Sequence, residues 1–133
     1  MKQFLAMLLS LIGSSSSAGA QAQSPFTYEK LQSTFSQMES TPGFDVTKPL
    51  VWGYFFTAKK ADNLMPARAK LVSDGYDFIR LEEDENGLWW LELSRAEVHS
   101  PESLHVRNTE LFNYAVTLDG VDYDGWDVTR SPD

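Results

Sequence analysis

The stretch YDFIRLEEDENGLWWLELSRAEV, residues 76–98, decides the fold. From Tyr76 to Glu82, Ile79 and Leu81 share one face and Phe78 takes the other, the two-residue period of a strand. Asp84-Glu85-Asn86-Gly87 follows, and Asn-Gly supplies the positive φ angles that a tight primed hairpin turn demands. From Leu88 to Val98 the alternation resumes, with Trp89, Leu91 and Leu93 on one face and Trp90, Glu92 and Ser94 on the other. The phase slips near Arg95-Ala96, which predicts a bulge.

Upstream, Leu50-Val51-Trp52-Gly53-Tyr54-Phe55-Phe56 is a dense aromatic and β-branched run that reads as a buried strand. A helix follows, with Leu64, Ala67, Leu71 and Val72 on one side and Gly75 as its stop. Pro66 fits its first turn if the helix begins near Asn63, and kinks it if the start lies near Ala58. Downstream, Ser100-Pro101-Glu102 starts a second helix with a capping hydroxyl, Pro at the first position and an acid at the positive end of the dipole. Leu104, Leu111, Ala115 and Leu118 form its stripe, Gly120 ends it, and Gly125 to Thr129 reads as a last short strand. The order strand, helix, strand, strand, helix, strand predicts an α+β fold: a ferredoxin-like βαββαβ sandwich, with a four-stranded antiparallel sheet and two helices on one face. Ahead of it, Tyr28, Leu31, Phe35 and Met38 mark one face of a short N-terminal helix, capped by Ser24 or Thr27 and ended by Thr41-Pro42-Gly43.

The 133 residues carry 11 Lys and Arg against 19 Asp and Glu, a formal charge of -8. At 42% apolar and 13% aromatic the chain can build a core, which excludes wholesale disorder. It has no cysteine, so disulfide scaffolds, thiolate metal sites and thiol nucleophiles are excluded. The acidic balance argues against direct nucleic-acid binding, which needs a basic footprint. At the N-terminus, Lys2 precedes the apolar run Phe4 to Ile12, and Ala18-Gly19-Ala20 or Ala20-Gln21-Ala22 offers a cleavage site. The run falls far short of the roughly 20 residues that cross a bilayer. Residues 1–20 are therefore expected to be a signal peptide, 21–48 a lead-in with the short helix, and 49–130 the main domain. The cleaved product would be exported, periplasmic or secreted, with no membrane attachment.

Several strings, taken in order, resemble one family: Trp52-Gly53-Tyr54-Phe55-Phe56, Gly75-Tyr76, Trp89-Trp90, Glu97-Val98-His99-Ser100-Pro101-Glu102, Asn108, and Asp122-Tyr123-Asp124-Gly125-Trp126-Asp127. The series, spanning about residues 50–129, resembles regulator of ribonuclease E activity B (RraB). The resemblance implies a ferredoxin-like fold and a non-catalytic protein that binds ribonuclease E, lowers its activity and slows RNA turnover. An exported version would instead meet an unrelated protein or a small ligand, with calcium dependence as one form.

No nucleophile elbow, phosphate-cradling loop or dinucleotide fingerprint is present, so neither enzyme nor cofactor is expected. The only histidines, His99 and His105, with Glu97 match no zinc spacing. Asp119, Asp122, Asp124 and Asp127 lack the remaining positions of a calcium loop. The candidate protein-binding residues are the acidic tip Glu82, Glu83, Asp84 and Glu85, whichever of Trp89 and Trp90 faces outward, and the corner Glu97, His99 and Glu102. The open face of the sheet is expected either to bind a partner or to be covered by the helix at residues 27–38.

Overall fold

The computed structural model describes residues 4–5 and 27–129. The expected leader, residues 1–20, lies outside them except for Phe4 and Leu5. The strands are β1 (Phe4–Leu5), β2 (Leu50–Ala58), β3 (Asp77–Glu83), β4 (Trp89–Glu97) and β5 (Asp122–Thr129). The helices are α1 (Tyr28–Glu39), α2 (Ala61–Ser73) and α3 (Pro101–Val116). The strands form one sheet in the order β1-β5-β2-β4-β3, and every neighbouring pair is antiparallel. The four long strands, with α2 and α3, make the ferredoxin-like arrangement that the periodicity predicts.

β2 lies at the centre because both of its faces are apolar. Trp52, Tyr54 and Phe56 are fully buried on the helix side, while Phe55 and Thr57 are largely buried on the other. Leu64, Ala67 and Leu71 of α2 and Leu104, Leu111 and Ala115 of α3 close over the inner face. Ser100 caps α3 in a full capping box: its hydroxyl accepts from the Ser103 N–H, and the Ser103 hydroxyl accepts from the Ser100 N–H.

Four details differ from the sequence reading. The hairpin turn spans three residues, Glu85 to Gly87: the Asp84 N–H donates to the Leu88 carbonyl at 2.9 Å, and the Gly87 N–H to the Asp84 carbonyl at 3.1 Å. Gly87 alone, at φ 85°, takes the left-handed conformation. No bulge occurs at Arg95-Ala96, since β2 and β4 keep register from Leu50↔Glu97 to Ala58↔Trp89. The apparent slip arises because Arg95 and Glu97 are polar residues on the inner face. Finally, α2 begins at Ala61, so Pro66 sits past the first turn and leaves the Asp62 carbonyl without its helical donor.

The fourth difference lies in β3: its register shifts between Phe78 and Arg80, so Ile79 is an extra residue and Phe78 shares the inner face with Leu81, opposite Leu93 and Leu91. For α1, whose position the sequence leaves open, the structure gives one answer. Leu31, Phe35 and Met38 join the main core, and Phe35 stacks on Trp52 with ring centroids 5.9 Å apart. The helix thus packs on the helix side and does not cover the open face of the sheet. Replacing Phe35 with Ala deletes a buried ring at this contact, and a loss of about 3–5 kcal/mol of stability is expected. Urea unfolding followed by tryptophan fluorescence measures it. A loss below about 1 kcal/mol would mean that α1 is not part of the folding unit.

Candidate protein-binding groove

The open face carries a groove of about 400 Å³ whose apolar walls are Phe55 of β2 and Trp90 of β4. Their ring centroids lie 6.3 Å apart at 77°, an L-shaped aromatic corner. Three devices build it. The hairpin fixes Trp90, whose indole N–H donates to Asp84 Oδ2 at 2.9 Å. The other oxygen of Asp84 accepts from the backbone N–H groups of Asn86 and Leu88, at 2.8 and 3.0 Å. Asp84 therefore serves as the architect of the turn, and these donors, the Trp90 N–H first, hold its carboxyl below the ordinary range.

The second device is a bulge. Phe55 pairs with Gly125 and Phe56 with Tyr123, so Asp124 is an extra residue on β5. Asp124 and Asp127 are three apart and would face opposite sides of a regular strand. The extra residue brings both to the groove. Third, Gly53 makes room: a Cβ there would stand 2.5 Å from Asp127 Oδ1.

Glu82, Glu83 and Asp84 complete the acidic rim, and among the described residues Arg80 is the one cation lining the groove. Its Nε lies 2.8 Å from Glu92 Oε1 and its Nη1 3.6 Å from Glu82 Oε1. Burial, and then the charge of Glu92, raise the Asp127 carboxyl to about 6 against the pull of Arg80 and the Gly53 N–H. Burial and then Asp122 raise Asp124 to about 6. Two desolvated carboxylates thus sit at the floor of an acidic recess with little to compensate them.

The corner residues form a separate cluster at the far end of β4. Arg107 grips Glu97 with two bonds, Nη1 to Oε2 at 2.7 Å and Nη2 to Oε1 at 3.1 Å. The Tyr54 hydroxyl donates to Glu97 Oε2 at 3.0 Å, and His99 Nε2 lies 3.3 Å from the same oxygen. Burial works against the charge on Glu97, but the bonds from His99 and Arg107 outweigh it and hold the carboxyl at about 2. His99 also reaches Ser103 at 2.8 Å through Nδ1. Glu102 accepts from the Tyr28 hydroxyl of α1, and His105 lies edge-on to Tyr28.

Of the residues singled out by sequence, Glu82, Glu83, Asp84 and Trp90 converge on the groove. Glu85 stands at the exposed turn outside its lining, and Trp89 packs against the core on the opposite face. Glu97 and His99 belong to the inner network, and Glu102 to the α1–α3 contact. The sequence alone marks Asp124 and Asp127 only as members of an incomplete calcium loop, and does not mark Phe55 and Arg80 as site residues. Among the described residues, no three His, Asp or Glu side chains converge as a metal site, and no helix is long and apolar enough to cross a membrane.

In comparison with known proteins, residues 29–128 match the family model described as RraB, regulator of ribonuclease activity B. The match runs from α1 to β5, so it takes in the groove and the corner network alike. No curated protein matches the chain.

The raised carboxyls have a measurable consequence. A carboxyl whose folded pKa lies above its unfolded value favours folding when protonated, and that stability is lost as pH rises through about 6. Asp127→Asn keeps the oxygen that faces Gly53 and removes the charge. It is expected to stabilise the domain by about 1–2 kcal/mol at pH 7.5, after allowance for partial solvent screening. The gain should be much smaller at pH 4.5, where Asp127 is protonated in the folded state, and should vanish only below the unfolded value of 3.8. Thermal melts at both pH values test this, and equal gains at the two would contradict it.

Proposed function

The chain belongs to the RraB family of ribonuclease regulators, and from that membership we propose that it is a non-catalytic protein that binds ribonuclease E, inhibits it and so slows RNA turnover. The observation that carries this reading is the open face of the family scaffold: no described element covers it, and it presents an aromatic recess rimmed by carboxylates. Such a surface repels RNA and attracts the basic segments with which a ribonuclease holds RNA. Inhibition then follows from competition, since those segments cannot engage phosphates and carboxylates at once.

The apolar run Phe4 to Ile12, with small residues after it, supports a second reading in which the domain is exported and meets another protein. Intact mass of the native protein in fractionated cells separates the two. A chain starting at Gln21 or Gln23 outside the cytoplasm favours the second, and a chain starting at Met1 in the cytosol favours the first.

The direct test is cleavage of a fluorogenic single-stranded RNA by purified ribonuclease E, with the full chain added. The rate is expected to fall as the protein is titrated in, while the protein alone leaves the mobility of the RNA unchanged. An unaffected rate would overturn the reading. Because Asp84 builds the turn, charge reversal is placed at Glu83 and Glu85. Glu83→Lys with Glu85→Lys should raise the concentration for half-inhibition about tenfold, with the melting temperature little changed.

A further inference from the structure

We propose that the open-face groove receives an arginine side chain from an extended basic segment of a partner protein, its guanidinium seated against Trp90 and Phe55 and paired with Asp124 and Asp127. This rests on reading the open face as a protein-binding surface, but not on ribonuclease E being the partner.

Charge sets the sign of the occupant. Arg80, the cation of the groove, is already engaged by Glu92 and Glu82. Among the described residues, neither Asp124 nor Asp127 has an ion-pair partner. A cation arriving between them would compensate charges already stripped of part of their water. It therefore recovers Coulomb energy without a second desolvation penalty for these two groups.

The walls select the kind of cation. A guanidinium is planar, weakly hydrated and forked, so it can lie on an aromatic face while its edge serves carboxylates. An ammonium is compact and strongly hydrated, and it loses more on entering an aromatic corner. The chain already uses the guanidinium mode elsewhere: Arg68 lies 3.7 Å over Phe78, and Arg95 4.9 Å over Tyr76. Among the described residues, the Phe55–Trp90 corner has no cation over either ring. The carboxylates are also spread along the groove and do not converge as metal ligands, which suits a side chain with several donors better than a bare ion.

Fluorescence anisotropy on the full chain, at pH 7.5 and near-physiological salt, provides the test. The probes are labelled peptides that alternate glycine with arginine, with lysine, or with citrulline. The arginine peptide should bind tightest, the lysine peptide several-fold more weakly, and the neutral citrulline peptide not at all. Trp90→Ala and Asp127→Asn should each weaken arginine-peptide binding about tenfold. Glu29→Gln, the same charge change on α1, should leave it unaltered. Should Trp90→Ala unfold, Trp90→Phe retains a ring without the bond to Asp84, and Asp127→Asn carries the charge test alone. Lowering the pH to 5.5 should weaken binding as Asp124 and Asp127 take up protons. The charges facing them are Arg80, Glu82 and Glu83 of β3, Asp84 of the turn, Glu92 of β4 and Asp122 of β5.

Equal affinity for arginine and lysine peptides, or full affinity in Asp127→Asn, would overturn the proposal. The outcome is separable from the identity of the partner. Arginine-selective binding in the groove without any effect on ribonuclease E cleavage would sustain the proposal and remove ribonuclease E as the partner. Undiminished inhibition by an Asp127→Asn protein that no longer binds the peptide would leave the family reading in place and remove the groove from it.

Discussion

The inner face of β2 is the constraint on which the other elements depend. Trp52, Tyr54 and Phe56 present three large rings in a row to the helix side, and each fixes a neighbour. Trp52 stacks on Phe35 of α1, meets the His99 ring edge-on at 4.9 Å, and lies 5.6 Å from Trp126 of β5. Tyr54 meets Tyr76, and Phe56 meets Tyr123. Burying rings of this size supplies most of the apolar area that a domain this small can gather. Because every described helix is drawn to that side, the outer face of β2 is left with Val51, Gly53, Phe55 and Thr57, beside the outward side chains of its flanking strands. The groove is thus a consequence of one-sided packing.

The inner face changes character at its end. Arg95 and Glu97 continue the inward alternation of β4 where the apolar core runs out, and burial there is tolerable because Arg107, Tyr54 and His99 satisfy the Glu97 carboxylate. Arg107 in turn lies against the rings of Tyr54 and Tyr76. A buried ion pair with all its bonds made adds little net stability over an apolar substitute, but losing one partner strands the other. Its contribution here is positional: it ties the end of β4 to the first turns of α3, and so fixes the corner through which the chain leaves the sheet.

The fold was legible because alternation is a local property. Leu91 and Leu93 announce their strand, and Ser100-Pro101-Glu102 announces its helix, without reference to anything distant; in β3 the alternation misleads, because Ile79 is an extra residue and Phe78 joins Leu81 on the inner face. The same alternation placed Trp89 and Trp90 on opposite faces. What it cannot assign is which face the helices take, and the packing on Trp52, Leu91 and Leu93 decides that. The floor of the groove was hidden for a different reason. Asp124 and Asp127 have the odd spacing of residues on opposite faces, and only the bulge opposite Phe55 brings them together. Gly125, at φ 126°, is the one local sign of that bulge. Conversely, the slip near Arg95-Ala96 suggested a bulge where there is none, because an inward charge looks like a change of phase until its partner on α3 is known. Asp84 carried a similar ambiguity: as one of a run of acids it read as surface charge, whereas its bonds to Asn86, Leu88 and Trp90 make it part of the scaffold.

The acidity of the chain and the acidity of the groove act at different ranges. A net charge of -8 attracts any basic partner, but at physiological salt that attraction decays over about 8 Å, and it discriminates poorly among cations. Discrimination needs contact, and contact needs charges that water does not already neutralise. Asp124 and Asp127 meet that condition because burial has stripped part of their hydration while no basic side chain among the described residues pairs with them. The cost falls on the folded state: burial raises both carboxyls to about 6, so their ionisation at neutrality is less favourable there than in the unfolded chain. A domain selected for stability alone would place Asn or an apolar residue there. A site that holds uncompensated charge beside two aromatic rings is organised around an occupant that brings both a positive charge and a flat face, and that pairing of needs, more than total charge, defines what the open face can recognise.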